Sequence, residues 1–84
     1  MADRVAERIR RLREAKGLTR AGLAEAMRVL GARTERRDLL RYEDLGYEPK
    51  LRTFAVLARA LGVSVETLLY GEEEAARIAA ERVG

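Results

Sequence analysis

Cysteine and histidine are both absent from this chain. Their absence excludes disulfides, zinc sites of the usual Cys/His kind, thiolate nucleophiles and any histidine general base or triad. Asn, Gln and Trp are also missing, Ser64 is the only serine, and Pro49 is the only proline. An enzyme would have to work with carboxylates, Lys16, Lys50, three tyrosines and four threonines. The expectation is therefore a non-enzyme that uses no metal or cofactor. No apolar run approaches the length of a membrane span, and the arginines spread through the N-terminal segment leave no signal-peptide core. A cytoplasmic location is expected, with no membrane partner.

What the chain does have is charge. Its 84 residues suffice for one small core, and with 37% charged and 48% hydrophobic residues it should be globular rather than disordered. Fifteen of the 17 basic residues are arginine. The guanidinium fork suits phosphates and guanine edges, although heat adaptation also enriches charged residues. Residues 1–42 carry a net +6 and residues 43–84 a net −3. One end should attract polyanions and the other repel them, which points to nucleic acid met by the N-terminal half. The alternative is a solvated charged surface with no partner.

Apolar residues recur at helical spacing. From Asp3 to Lys16, Val5, Ile9 and Leu12 fall on one face, and Gly17 ends the helix. Thr19 caps a second helix running to about Met27 or Leu30, with Leu23, Ala24 and Met27 inward and Gly22 unexplained in its first turn. Gly31 stops it. Thr34 is the expected cap of a third helix, to about Glu43, with Leu39 and Tyr42 inward and Arg36, Arg37 and Arg41 on other faces. Residues 44–49 read as a loop. A fourth helix follows from about Leu51 to Leu61, burying Leu51, Phe54, Ala58 and Leu61, and Ser64 caps a short fifth containing Leu68 and Leu69. Glu72 to Val83 forms a last helix, its three leading glutamates and later Arg77 and Arg82 matching the helix dipole. No segment alternates as a strand does, so the chain is all-α.

Several runs carry a resemblance. Ile9-Arg10-Arg11-Leu12-Arg13-Glu14, Lys16-Gly17-Leu18-Thr19, Leu23-Ala24-Glu25 and Arg41-Tyr42-Glu43 occur in that order. They are followed by a continuous block from Pro49-Lys50-Leu51-Arg52-Thr53 through Leu57-Ala58-Arg59-Ala60-Leu61-Gly62-Val63-Ser64 to Leu68-Leu69. Together these resemble the signature of the Cro and repressor family of phages and the xenobiotic-response-element type of bacterial regulators. The resemblance covers residues 4–70 and is most specific from Pro49 to Leu69. It implies a lambda-repressor-like helix-turn-helix domain over 1–70, a compact five-helix bundle, with a C-terminal helical extension over 71–84. It further implies a sequence-specific transcriptional regulator, such as a repressor, whose third helix (about Thr34 to Glu43) enters the major groove. An ion pair between Arg13 and Glu43 that holds the fold is implied in the same way.

The chain departs from the family pattern in three places. Arg20 stands where a phosphate-touching glutamine is usual. The spacing from Leu23-Ala24 to Arg41-Tyr42-Glu43 is longer, extending the turn from Arg28 to Arg33. Leu45 occupies the expected place of a glycine, with Gly46 next.

Without Asn or Gln, adenine cannot be read by the usual amide pair, so Arg36 and Arg37 are the candidates for guanine, and Glu35 or Asp38 for a cytosine amino group. The same residues read equally as a solvated face or as phosphate contacts. Arg20, Arg28, Arg33, Thr34, Arg41, Lys50 and Arg52 are the phosphate candidates. Tyr42 is expected in the core. In the tail, Ala75, Ile78, Ala79 and Val83 would pack on the domain or on a second copy, a homodimer being the functional reading and a frayed, solvated extension the alternative. From a different class comes a protein-interaction module, such as an antitoxin or adaptor subunit, using the extended turn or the tail.

Overall fold

The computed structural model describes residues 2–83, with side chains from Arg4 to Arg82. Six α-helices and no strand occur among the described residues: α1 (Ala2–Ala15), α2 (Arg20–Val29), α3 (Arg36–Asp44), α4 (Leu51–Leu61), α5 (Val65–Tyr70) and α6 (Glu72–Val83). The first five surround one core of Ile9, Leu23, Ala24, Met27, Leu39, Phe54, Leu57, Ala58, Leu61 and Leu68. In α2 and α4, which supply most of it, members recur three or four residues apart, the spacing that keeps a stripe on one face. α6 packs mainly on α5, and the molecule measures 41 × 25 × 24 Å.

Two burial expectations are corrected. Leu51, expected inside, is 82% exposed. It is the first residue of α4, and the inward stripe there is Phe54, Leu57, Ala58 and Leu61, which makes Leu57 the core residue that the sequence reading lacked. In α1 the buried stripe is Ala6, Ile9 and Arg13, with Val5 and Leu12 only flanking it.

The ends of α2 and α3 set the direction of the third helix. Thr19 caps α2 through its hydroxyl, which accepts from the Gly22 amide at 3.0 Å. A Cβ on Gly22 would stand 3.3 Å from that hydroxyl, so the glycine leaves room for the cap to close. α2 ends with Gly31 at φ +97°, Gly31 N–H bonding Arg28 C=O at 3.0 Å and Ala32 N–H bonding Met27 C=O at 2.9 Å. These are the paired bonds of a Schellman ending, for which a left-handed glycine is the favoured residue.

Thr34 does not cap α3. The helix starts at Arg36 with Glu35 as N-cap, and the Glu35 amide donates to Asp38 Oδ2 at 2.9 Å. Thr34 instead is 1% exposed, its hydroxyl donating to the Ala32 carbonyl at 3.3 Å and its own carbonyl accepting from Arg28 Nη1 at 2.6 Å. The longer connection, residues 30–35, is thus pinned at both ends. α3 runs one residue beyond Glu43, to Asp44.

Candidate nucleic-acid interface

Inward residues fix how α3 sits. Leu39 and Glu43, four apart, are its buried positions, one apolar and one charged. The Glu43 carboxylate takes a two-pronged hydrogen bond from Arg13 of α1, Nε to Oε2 at 2.7 Å and Nη2 to Oε1 at 2.9 Å. Arg13 Nη1 also donates to the Leu18 carbonyl at 2.8 Å, tying the turn after α1 to the same guanidinium. Arg20 Nε adds a third donor to Glu43 at 3.1 Å, and Arg10 Nε approaches to 3.5 Å. Burial alone would favour the neutral acid at Glu43, but the hydrogen bonds and charges of Arg13 and Arg20 outweigh it and hold the carboxyl below its usual range. Arg13 is shifted up by its bond to Glu43, in spite of burial.

Outward from that anchor, Glu35, Arg36, Arg37 and Leu40 line one open concavity on the surface of α3. Arg33, Arg36 and Arg37 are exposed and, among the described residues, have no ion-pair partner. Asp38 is occupied by capping and lies 3.7 Å from Arg41, which is half exposed. Glu35 is exposed and 3.7 Å from Arg28.

The phosphate candidates divide into two groups. Lys50 and Arg52 are exposed at the start of α4, and Arg33 is exposed in the turn. Arg20 and Arg28, by contrast, are engaged within the chain. Arg20 Nη2 lies 3.0 and 3.1 Å from the two Asp44 oxygens, and Arg28 Nη2 lies 2.6 Å from Glu25 Oε2. Thr34, being buried, offers no hydroxyl at the surface.

The residues missed from sequence are Arg8, Arg10 and Asp44. Arg8 Nη1 donates to the Leu68 and Leu69 carbonyls at 2.9 and 3.0 Å, satisfying the end of α5. Arg10 pairs with Asp44 across more than thirty residues of chain. No local pattern announces such contacts.

Helix ends complete the electrostatics. The first turns of α3, α5 and α6 carry acidic residues, as the positive pole prefers. Those of α2 and α4 carry none, and have Arg20, Lys50 and Arg52 there instead. Basic residues at a positive pole weaken the helix but suit an incoming anion. On another side, α1, α3, α4, α5 and the loop before α4 border an apolar groove of about 320 Å³, with Tyr42, Tyr47, Leu51 and Phe54 among its lining. Compared with protein-family models, curated proteins and solved structures, the chain matches none of them.

Proposed function

We propose that this chain is a sequence-specific DNA-binding transcriptional regulator of the lambda-repressor-like helix-turn-helix type, acting in the cytoplasm as a homodimer. The observation that carries the reading is the two-sidedness of α3. Leu39 and Glu43 anchor its inner face, while Arg36 and Arg37 stand exposed on the outer side of its first turn, with no ion-pair partner among the described residues. A helix so held can lie in a major groove and present arginine forks to the O6 and N7 atoms of guanine. Arg33, Lys50 and Arg52, with the acid-free helix starts of α2 and α4, supply phosphate contacts that fix register. The net +6 of residues 1–42 agrees with a polyanionic partner.

Dimerisation places two recognition helices on half-sites about one helical turn, roughly 34 Å, apart. α6, packed mainly on α5 alone, is the element available for it.

The test is selection of bound duplexes from a random pool by the purified protein. Guanines in two symmetric half-sites are expected, with binding lost in the Arg36→Ala/Arg37→Ala double variant. An A·T-only core, or full binding by the double variant, sinks the reading. The apolar groove beside Tyr47 and Leu51, both largely exposed, favours a second reading as a protein-interaction module. Under it the arginine double variant retains function and substitutions in the groove do not.

A further inference from the structure

Asp44 ends α3 at its negative pole, where a carboxylate is electrostatically disfavoured. Helix electrostatics therefore do not account for it, but two guanidinium groups from other helices do. Arg20 Nη2 contacts both its oxygens, and Arg10 pairs with its Oδ1. Arg20 is the first residue of α2, whose first turn holds no acidic residue. Its Nε is already given to Glu43. The Nε–Nη2 edge, which takes an oxyanion in parallel two-pronged fashion, is thus filled by carboxylates of the same chain. Glu43 is fully buried and committed to Arg13, whereas Asp44 keeps 37% and Arg10 41% side-chain exposure. Asp44 is the member of the cluster that an external anion can replace.

We propose that Asp44 is an internal competitor for the backbone phosphates, an inference resting on the DNA-binding reading above. In the free protein it occupies Arg10 and Arg20 and ties α1, α2 and α3 together. On DNA the phosphates take over the two guanidinium groups and Asp44 turns to water. Exposed ion pairs are individually weak, so Asp44 attenuates binding without preventing it. Once freed from the two guanidinium groups, its charge takes up a cation from solution and offsets part of the counterion release on binding.

The experiment measures affinity of the full chain for a fluorescent duplex across a salt series. Asp44→Asn should bind about 3- to 10-fold tighter than wild type at low salt. Its slope of log K against log salt should be steeper by about 0.9. Glu81→Gln makes the same charge change on the exposed side of α6 and should alter affinity little. Adding Arg20→Ala to Asp44→Asn should erase most of the gain. Asp44→Ser serves as a second variant, and thermal melts establish that each is folded. Equal or weaker binding by both Asp44 variants, or an equal gain in Glu81→Gln, overturns the competitor role while leaving DNA binding standing. If wild type and all variants bind no duplex, the DNA-binding reading falls and the competitor role with it.

Discussion

Removing the Glu43 carboxylate would leave the guanidinium groups of Arg10, Arg13 and Arg20 facing one another with Asp44 as their remaining counter-charge. Breaking a buried pair costs more than the pair itself contributes, because the orphaned charge stays desolvated. Glu43→Gln should therefore lose about 3 kcal/mol in urea denaturation. Arg13→Met should lose less, since Arg20 still serves Glu43. The pH dependence has a definite sign. A carboxyl held low in the folded state stabilises fully above its unfolded range, about pH 4, and that contribution fades as pH falls towards the lower folded value. The gap between wild type and Glu43→Gln should be constant from pH 7 to 5 and shrink in acid; a gap that widens in acid contradicts the assignment. The Arg13–Glu43 pairing followed from a resemblance, but Arg10, Arg20 and Asp44 joining it did not. Those partners are chosen by how three helices cross, and no spacing along the chain encodes that.

At the level of elements, most of the chain's punctuation was legible because caps and stops are local chemistry. Ser64 accepts from the Thr67 amide at 3.0 Å, as a serine before an apolar turn should. Ser64→Ala should cost about 1 kcal/mol, and amide exchange should place the loss in α5. Gly31 holds φ +97°, so Gly31→Ala should cost about 1–2 kcal/mol although no atom lies in the way of a Cβ. Denaturant midpoints decide both, and a neutral Gly31→Ala would mean the turn can take another path. The sequence misplaced the α3 cap by one residue because Thr34 and Glu35 both have oxygens suited to an N-terminus. Packing decided between them: Thr34 is drawn into the interior by the carbonyl that Arg28 holds. Leu51 was misassigned for a related reason, since a leucine at the first helical position matches the period without reaching the core.

Across the whole molecule, the core residues lie between Ile9 and Leu68, so α6 adds little to it. Its ties are to α5, with Arg82 3.1 Å from Glu66, and Ala75 and Ile78 half-buried while Ala79 is exposed; the Val83 side chain lies outside those described. Deleting residues 72–84 should cost about 1 kcal/mol, lowering Tm by roughly 4–8 °C with unfolding still cooperative. Loss of all cooperativity in a calorimetric scan would show α6 to be integral. Arg33, Lys50 and Arg52, free for phosphates while Arg36 and Arg37 turn to guanine, should contribute about −2.7 to the salt slope for DNA, about 0.9 for each phosphate engaged. A slope near zero in a binding series would rule out phosphate-dominated contact. The sequence alone determined the helices, most of their stops and the excess of positive charge in the first half, because periodicity, capping and composition act over a few residues or are simple counts. Only the tertiary structure decided which cations remain available. Arg20 looks no different from Arg36 and Arg37 along the chain, yet folding sets it against Asp44. Arg28 has Glu25 one helical turn before it, a pairing the sequence carries, but only folding brings it the Thr34 carbonyl. A charge is free or spent according to what packing brings within about 3 Å of it.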